Sequence, residues 1–508
     1  MSRVRRTEME TMEREVRSLV EKVLSGYLGA AASPLSGKSV EETKTASGLS
    51  APVAPLRAAG AQLKGDRGSG VFSDMDRAIE AAETAQQELV KMTLDKRREI
   101  IAGIRETMLS RLDDLCSIAV QETSMGNCRD KNVKNRLAIV KTPGVEDVEP
   151  LAYTDDYGLT LVERAPYGVI GSITPCTNPT ETLICNGIGM IAGGNAVVFN
   201  PHPAARSTSK FTIELFNEAV ARAGGPPNLF CTIENPTIES AQSMMKHPKI
   251  KLLVVTGGPA VVKAAMQSGK KVIAAGPGNP PAVVDETADL DKAGRDIVNG
   301  ASLDNNIICI CEKEVLAVDR VADRLKEAMK KHGAFELSRS QIEKVTALVI
   351  QDPGKPGHEG APNKKYVGKD AALIAAEIGL TVAKETRILL CEVPWDHPLV
   401  WTEQLMPVIP LVRMSHVDEA IDFAVQCEHG FRHTASMHSK NIDNLSRMAK
   451  VMNCSVFVKN GPNYCGLGFE GPGYTSYTIA SPTGEGMTRA RTFTRERRCA
   501  LMGHFRIV

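Results

Sequence analysis

Two cysteines stand one residue apart in the stretch SLDNNIICICEKEV, residues 302–315. Cys309 and Cys311 lie in a short apolar run, behind Asn305 and Asn306, which are candidate hydrogen-bond donors. A thiolate acts as a nucleophile when it is partly exposed and close to donors or positive charge, whereas a cysteine in an apolar run usually fills a core. The residues alone therefore allow core packing, half of a metal site, a redox pair, or a single nucleophile.

Two other stretches carry groups that bind anions. The stretch VVTGGPAVVKAA, residues 254–265, is typical of a strand, a tight glycine turn and a helix, and backbone N–H groups at such a turn can hold a phosphate. The stretch SITPCTNPTET, residues 172–182, follows a strand and offers an amide side chain and backbone N–H groups, which are the parts of an oxyanion hole. Taken separately, each stretch also fits an ordinary turn.

The elements that must position these residues alternate between strands and helices. Apolar strands that run into Gly or Pro and then into a helical pattern recur in three stretches: GGNAVVFNPHP, KIKLLVVTGGPAVVKAA and KVIAAGPGNPPAVVDETADLDKAGRDIVNGAS. Residues 75–123 have the pattern of a helical hairpin or bundle, and residues 157–176 have that of strands. The alternation predicts an α/β fold with parallel layers.

The N-terminal segment has a different character. Apolar residues recur at spacings of three and four within residues 8–28, which predicts a short amphipathic helix. Residues 30–68 are rich in Ala, Gly, Ser and Pro and indicate a flexible linker. A helix on a tether favours recognition of a partner by the apolar face. A helix packed on the body of its own chain, or a short coiled coil, is the alternative.

Composition excludes several classes of function. The 508 residues suffice for two or three domains, and 61 basic against 60 acidic residues give a formal net charge of +1, so neither nucleic acid nor an anionic membrane is an expected partner. The 12 cysteines are scattered and follow no secretory signal, which predicts reduced thiols in the cytoplasm. Because no C-x-x-C motif has a partner pair at zinc spacing, we expect no metal site. No uncharged apolar stretch reaches the length of a membrane span.

A series of motifs follows along residues 70–508: SITPCTNPTET, NAVVFNPHPAA, VVTGGPAVV, AAGPGNPPAVV, NGASLDNNIICICEKEV, TEQLMPVIPLV, CEHGFRHTASMHS and SPTGEGMTRARTFTRERRCAL. In this order they resemble the aldehyde dehydrogenase superfamily. The resemblance is greatest to its CoA-acylating branch, the propionaldehyde and acetaldehyde dehydrogenases of bacterial microcompartments.

The resemblance implies an aldehyde dehydrogenase fold. A Rossmann-like NAD-binding domain is expected over residues 69–290 and a catalytic α/β domain over residues 291–465. The C-terminal segment, residues 466–508, is expected to return to the cofactor domain. Residues 144–164 and 488–508 are expected to form a small β-flap for oligomerisation, which joins subunits into a homodimer or homotetramer.

The resemblance also implies a covalent reaction at Cys309. In the family the nucleophile lies in the context N-x-x-C-x-x-E-K, which here begins at Asn306, and the neighbouring Cys311 is interpreted as packing. The Cys309 thiolate attacks the carbonyl of a short-chain aldehyde. The backbone N–H of Cys309 and the amide of Asn178 hold the oxyanion of the thiohemiacetal. Transfer of a hydride to NAD then leaves a thioester on the cysteine.

The second nucleophile follows from a missing carboxylate. Hydrolytic relatives carry a glutamate in an E-L-G-G-K segment, and alignment of AAGPGNPPAVV with that segment puts Ala275 at its position. Water, with a pKa of about 15.7, needs such a base or a metal. A thiol, with a pKa of about 8.5, needs far less help. Loss of the base therefore favours release of the acyl group by coenzyme A, which is the expected co-substrate.

Cofactor contacts are implied in four of the motifs. The pyrophosphate falls at Thr256, Gly257 and Gly258, and Glu403 matches the glutamate that holds the nicotinamide ribose. The remaining contacts are expected at Pro175 in SITPCTNPTET and at three residues of NAVVFNPHPAA: Asn200, Pro201 and His202. Asn200 stands where many relatives have a lysine near the adenine ribose. Two histidines of CEHGFRHTASMHS are expected to support the wall of the active site: His429 and His433.

The resemblance also assigns a role to the N-terminal helix. Residues 1–29 are expected to direct the enzyme to the shell or core proteins of a bacterial microcompartment, whose lumen is the expected location. Propionaldehyde is the expected substrate, with acetaldehyde next. A hydrolytic aldehyde dehydrogenase and a non-catalytic microcompartment scaffold are the rival interpretations. Ala275 argues against the first rival, and the retained Cys309, Asn178 and Glu403 argue against the second.

Overall fold

The structure is a computed structural model that describes residues 68–508. The predicted helix over residues 8–28 and nearly all of the predicted linker over residues 30–68 lie outside the described residues. Within residues 68–508, no helix combines the length and the apolar character that crossing a membrane requires.

Helices and strands alternate through most of the described chain. The α-helices are α1 Met75–Leu89, α2 Leu94–Ser110, α3 Leu112–Thr123, α4 Cys128–Lys141, α5 Pro179–Ala192, α6 Arg206–Arg222, α7 Ile238–Lys246, α8 Pro259–Met266, α9 Leu290–Ser302, α10 Asp319–Lys331, α11 Arg339–Val349, α12 Ala371–Glu377, α13 Val417–Cys427 and α14 Ile442–Met452. The strands are β1 Val71–Phe72, β2 Leu151–Asp155, β3 Gly158–Pro166, β4 Val169–Thr174, β5 Ala196–Pro201, β6 Phe230–Ile233, β7 Ile250–Thr256, β8 Lys271–Ala275, β9 Pro281–Val284, β10 Glu314–Val318, β11 Ala334–Glu336, β12 Ile350–Asp352, β13 Ala361–Pro362, β14 Ile388–Glu392, β15 Val408–Met414, β16 Thr434–His438, β17 Val456–Lys459, β18 Ile479–Ala480, β19 Gly486–Met487 and β20 Thr494–Met502.

Capping side chains determine where the N-terminal helices begin. The Asp74 carboxylate accepts a hydrogen bond from the Arg77 backbone N–H at 2.9 Å, and the Thr93 hydroxyl accepts one from the Lys96 N–H at 3.2 Å. Such caps satisfy backbone donors that the first turn of a helix leaves open. The helical bundle predicted over residues 75–123 is present as α1, α2 and α3.

The first sheet has six parallel strands in the order β1-β6-β5-β4-β7-β8. Its central strands are buried along their whole length, as parallel strands covered by helices on both faces are expected to be. From β4 the chain passes to β5 and β6 on one side, and it then returns to β7 and β8 on the other side. The order therefore reverses beside β4. In sheets of this kind ligands bind at the carboxyl ends of the strands where the order reverses.

The second sheet has seven parallel strands in the order β11-β14-β15-β10-β9-β16-β17. Alternate residues of its central strands belong to different cores, because successive side chains point to opposite faces. Leu316 of β10 packs in one core, and Val315 and Ala317 pack in the other. Residues 276–280 connect the carboxyl end of β8 to the amino end of β9. The carboxyl edge of the first sheet therefore adjoins the amino edge of the second.

A small antiparallel sheet joins distant parts of the chain. β2 and β20 flank β3, and Leu159 is paired with Leu501. Both strands of that pair come from the two segments in which the β-flap was predicted, residues 144–164 and 488–508. A group of apolar side chains on this sheet is exposed: Leu151, Tyr153, Tyr157, Leu161, Leu501 and Met502. A role of this sheet in joining subunits stays a prediction. The predicted α/β architecture with parallel sheets is confirmed.

Candidate active site

Cys309 lies in a turn at the amino edge of the second sheet. The turn follows α9, and the backbone N–H of Cys311 donates to the carbonyl of Ile308 at 3.0 Å within it. The Cys309 side chain is half-buried, whereas that of Cys311 is buried in the core. The neighbour therefore has the environment of the packing residue that was expected, and Cys309 is the more accessible thiol of the pair.

Three consecutive residues ahead of Cys309 have a left-handed backbone. The φ angles are 48° at Asp304, 57° at Asn305 and 67° at Asn306. This conformation costs a residue with a side chain about 1–2 kcal/mol, and Asn and Asp tolerate it best. A run of three such residues persists only when the surrounding structure holds it. The turn that carries the thiol is therefore a strained segment under external restraint.

The asparagine amides supply part of that restraint. Asn305 Nδ2 donates to the Gly368 carbonyl at 3.0 Å and to Asp370 Oδ1 at 2.8 Å. Asn306 Nδ2 donates to two backbone carbonyls, those of Ala301 at 2.7 Å and Glu312 at 2.9 Å. The sequence-based interpretation of these asparagines as donors to the thiolate was wrong, because their N–H groups are used to hold the backbone.

The Lys313 side chain binds the backbone of the turn. Its Nζ donates to the backbone carbonyls of Asn306 at 2.9 Å and Ile308 at 3.2 Å. Burial raises the pKa of the Cys309 thiol to about 12, the Glu403 carboxylate adds to that rise, and the Lys313 ammonium opposes it. Two nearby charges therefore act on the thiol in opposite directions: the Glu403 carboxylate disfavours the thiolate, and the Lys313 ammonium favours it.

Asn178 lies at the start of α5, after the carboxyl end of β4, and is buried. Its Oδ1 accepts a hydrogen bond from Lys134 Nζ at 2.7 Å. Its Nδ2 is 3.3 Å from Thr177 Oγ1. The carbonyl end of this amide is thus held by a cation, and the N–H end remains as the donor.

Lys134 belongs to a buried cluster of two lysines and two acids. Lys131 Nζ and Lys134 Nζ both donate to Asp304 Oδ2, at 2.9 and 2.6 Å, and Lys134 Nζ is 3.2 Å from Glu181 Oε1. Burial alone would raise the pKa of Asp304, but Lys134 and Lys131 hold that pKa below its ordinary value. Two ammonium groups therefore hold the carboxylate of Asp304, the first left-handed residue of the cysteine turn.

Sequence reasoning missed this cluster. Lys131 and Lys134 lie one turn apart on α4, in line with the buried Ala138. Residues three or four apart share one face of a helix. In the sequence, the two lysines fall on the same helix face as the apolar Ala138. Lysines in such positions are easily taken for solvent-exposed residues.

Gly278 connects the cysteine turn to Glu403 and His433. Its N–H donates to Glu403 Oε1 at 3.2 Å. A Cβ atom at this position would lie 2.8 Å from the Cys309 carbonyl oxygen and 2.9 Å from His433 Cγ. A side chain at this position would therefore have to displace one of these groups. Sequence reasoning passed over Gly278, although it stands in the Gly- and Pro-rich stretch AAGPGNPPAVV.

The two histidines are held in different ways. His433 is buried, and its Nδ1 lies 2.9 Å from Thr434 Oγ1. Burial, with a contribution from Lys313, lowers the pKa of His433 to about 3, so its ring is neutral. His429 Nε2 lies 3.2 Å from the Trp401 carbonyl oxygen, and its ring packs against the Trp401 ring. His433 thus lies beside Gly278 and the cysteine turn, whereas His429 packs on Trp401, and a role of either in the wall of the active site stays a prediction.

The predicted pyrophosphate residues lie at the carboxyl edge of the first sheet, beside the point where the strand order reverses. Thr256 ends β7, and its Oγ1 is 2.9 Å from Thr478 Oγ1. The Gly257 N–H donates to the carbonyl of Ala275 at 3.2 Å. Gly258 is exposed ahead of α8, and a Cβ atom there would meet no atom within 4 Å. A pyrophosphate site at this open glycine turn stays a prediction.

The other predicted cofactor residues lie at the same edge. Pro201 ends β5 opposite Thr174, the last residue of β4, which precedes the half-buried Pro175. His202 is exposed, and its Nδ1 accepts from the Ala204 N–H at 3.1 Å. Asn200 is buried, with Oδ1 2.6 Å from Ser240 Oγ and Nδ2 3.3 Å from the Thr237 carbonyl. Its amide therefore also anchors the start of α7.

Comparison with known proteins identifies the family. Residues 68–344 match the model of the aldehyde dehydrogenase family. The chain is 51% identical over 440 residues to the acetylating acetaldehyde dehydrogenase EutE of Salmonella typhimurium, covering 86% of this chain and 94% of that protein. The chain belongs to the aldehyde dehydrogenase family.

Solved structures refine this assignment. The propionaldehyde dehydrogenase of Rhodopseudomonas palustris, with bound CoA and an acylated cysteine, is 49% identical and superposes with a TM-score of 0.83 over 86% of this chain and 98% of that chain. A propionaldehyde dehydrogenase from the fucose utilisation microcompartment of Clostridium phytofermentans is 49% identical, with a TM-score of 0.84 over 86% of this chain and all of that chain. Within its family the chain falls in the CoA-acylating branch. The predicted resemblance and the aldehyde dehydrogenase fold are therefore confirmed.

Proposed function

We propose that this enzyme oxidises a short-chain aldehyde to the corresponding acyl-CoA, with propionaldehyde preferred, acetaldehyde next, and NAD as the hydride acceptor. The observation that carries the proposal is the link between Cys309 and Asn178. Asp304, five residues ahead of the thiol, shares Lys134 with the amide of Asn178. A thiol and an amide donor are the two groups that thiohemiacetal formation requires, and here one buried lysine contacts both the amide and the segment that leads to the thiol.

The first step joins the thiolate of Cys309 to the aldehyde carbon. The developing oxyanion takes hydrogen bonds from Asn178 Nδ2 and from the Cys309 backbone N–H. Within residues 68–508 the Cys309 N–H donates no hydrogen bond to a backbone carbonyl. The loss of one such donor lowers kcat by about 10²- to 10³-fold in enzymes with an oxyanion hole.

The nicotinamide cofactor fits the carboxyl edge of the first sheet. In this proposal Thr256, Gly257 and Gly258 hold its pyrophosphate, and Glu403 holds its nicotinamide ribose. The contacts on the adenine side are expected from one group of residues: Pro175, Asn200, Pro201 and His202. When bound, NAD accepts the hydride that leaves the former aldehyde carbon, and Cys309 then carries a thioester.

The acyl group then passes to coenzyme A. Ala275, at the end of β8, has a methyl group where hydrolytic relatives have a carboxylate, so it provides no base for water. The thiol of CoA needs less activation than water does. The R. palustris relative, which holds CoA and an acylated cysteine, supports both the covalent intermediate and its acceptor.

The test is an assay with NAD and C2 to C4 aldehydes, with and without CoA, in which NADH and the acyl products are both measured. We expect sustained NADH formation only with CoA, and the highest kcat/KM with propionaldehyde. Free acid formed at the full rate without CoA would identify a hydrolytic enzyme instead. Omission of the aldehyde is the control for background reduction of NAD.

We also propose a role for each larger part of the chain. Residues 69–290 bind the cofactor, residues 291–465 supply the catalytic turn, and residues 466–508 complete both the cofactor domain and the flap. The exposed apolar side chains of β2, β3 and β20 support a homodimer or homotetramer joined through the flap. Analytical ultracentrifugation of wild-type enzyme and of a Tyr153→Glu variant tests this assembly.

Residues 8–28, which lie outside the described residues, are proposed to direct the enzyme into a microcompartment. The amphipathic pattern and the C. phytofermentans microcompartment relative support this role. A fluorescent protein fused to residues 1–29 should co-sediment with shells. A fusion in which apolar residues of this segment are replaced by Ser is the control, and a diffuse signal from the unaltered fusion would contradict the proposal.

A further inference from the structure

One buried ammonium group links the proposed oxyanion donor to the turn that carries the proposed nucleophile. Lys134 Nζ donates to Asp304 Oδ2 at 2.6 Å and to Asn178 Oδ1 at 2.7 Å, and it lies 3.2 Å from Glu181 Oε1. A lysine has three N–H donors and no acceptor, so two of its hydrogens go to Asp304 and Asn178, and its charge is also paired with Glu181. Lys134 is 1% exposed, and these contacts therefore replace its hydration.

The contact with Lys134 selects one orientation of the Asn178 amide. The ammonium can only donate, so it attracts the carbonyl oxygen and repels the NH₂ group of the carboxamide. A rotation of the amide by half a turn would place two donors against each other in a buried site, which is costly. With Oδ1 held and Nδ2 donating one hydrogen to Thr177 Oγ1 at 3.3 Å, the second hydrogen of Nδ2 is the one that remains for an oxyanion.

We propose that Lys134 is a positioning residue for aldehyde oxidation. It holds the amide of Asn178 with its N–H end available, and through Asp304 it sets the geometry of the left-handed turn ahead of Cys309. The inference rests on the proposed function, in which Asn178 and Cys309 act on the aldehyde. Lys134 itself touches neither substrate nor cofactor in this scheme and acts only through its two partners.

Lys131 provides a matched control. It also donates to Asp304 Oδ2, at 2.9 Å, and its side chain is 0% exposed. Within the described part of the chain its Nζ makes no hydrogen bond to Asn178. Replacement of either lysine by Met therefore removes one buried charge from the same carboxylate, but only the Lys134 variant loses the contact that orients the amide.

The experiment is a pair of double-mutant cycles on kcat in the full-length enzyme, assayed with propionaldehyde, NAD and CoA. One cycle combines Lys134→Met with Asn178→Ala, and the other combines Lys131→Met with Asn178→Ala. Asn178→Ala alone should lower kcat by about 10²-fold or more. Lys134→Met should lower kcat by about 10- to 100-fold alone, but by no more than Lys131→Met does once Asn178 is absent, because only the effect through Asp304 then remains. Lys131→Met should change kcat by the same factor in both backgrounds.

The outcomes separate this inference from the proposed function. If Asn178→Ala keeps the wild-type kcat, the oxyanion role in the proposed function fails. If Asn178→Ala is impaired but Lys134→Met has the same effect with and without Asn178, Lys134 is merely structural and the inference is overturned. Should Lys134→Met not yield folded protein, Glu181→Gln replaces it in the cycle. That variant weakens one anchor of Lys134, and its smaller loss of kcat must likewise shrink in the Asn178→Ala background.

Discussion

The backbone of Gly278 fills the space beside the His433 imidazole, since a Cβ atom at Gly278 would lie 2.9 Å from His433 Cγ. On its other side the same Cβ would lie 2.8 Å from the carbonyl oxygen of Cys309. The histidine and the turn that carries the thiol are therefore separated by one residue without a side chain. Neither group can move toward the other, and an added methyl must displace one of them.

Gly278→Ala is expected to lower kcat by at least about tenfold, because about 1 Å of displacement near reacting groups can cost up to about 10²-fold. Steady-state kinetics with CoA and propionaldehyde measure this. Gly276→Ala, in the same loop, is the control, since its Cβ would meet only the Pro482 side chain, at 3.2 Å. Equal losses in the two variants would contradict the packing explanation.

Cys309→Ala is expected to abolish NADH formation, whereas Cys311→Ala should keep most of the wild-type kcat. Cys311 is buried, so its replacement removes packing and should lower the free energy of unfolding by about 1 kcal/mol. Kinetics and chemical denaturation of both variants measure the two effects. Turnover retained by Cys309→Ala and lost by Cys311→Ala would reverse the assignment of the nucleophile.

Glu312 predicts a pH dependence of stability. Burial raises the pKa of Glu312 to about 8, above the ordinary value for a glutamate. A raised folded-state pKa contributes stability that is complete below the unfolded-state pKa and is lost as the pH rises through about 8. Between pH 6 and pH 9 the free energy of unfolding of wild-type enzyme should therefore fall by about 1–3 kcal/mol more than that of Glu312→Gln. Denaturation of both proteins at the two pH values checks this, and parallel curves would contradict it.

Asn306→Ala should impair both stability and the site. The variant loses a residue type that tolerates φ 67° and two hydrogen bonds to backbone carbonyls, at a total cost of about 2–4 kcal/mol. Because Cys309 follows three residues later, kcat should fall as well. Asn228→Ala, at a left-handed position with φ 65° outside the site, should lose stability and keep kcat. Thermal unfolding and kinetics of both variants distinguish these results.

Much of the fold could be predicted from the sequence because helices and strands follow local patterns of apolar residues, Gly and Pro. The strand, turn and helix predicted at residues 254–265 are β7, the glycine turn and α8. Apolar runs that end in Gly or Pro mark buried parallel strands, since such strands have little alternation. The order of the motifs then led to residues that the structure places at two adjoining sheet edges.

The parts of the site that the sequence did not reveal depend on contacts between distant segments. Lys131 and Lys134 look like solvated charges on a helix until Asp304 is placed beside them. Asn305 and Asn306 were misinterpreted because their types suit both a donor role and a left-handed backbone, and only the acceptors around them decide between these roles. Gly278 is one of many glycines, and its importance follows from what lies on either side of it.

The ion pair between Lys134 and Asp304 also has a consequence for how the chain reaches its native state. Its partners are 170 residues apart, and α4 packs with helices of the first sheet while Asp304 leads into the second. Residue 304 must therefore be synthesised before Lys131 and Lys134 can bind the Asp304 carboxylate. Removal of one partner from a buried pair costs about 3–5 kcal/mol, so the halves should not mature separately. Calorimetry is expected to show one cooperative transition for residues 68–508, and co-translational folding should be completed late.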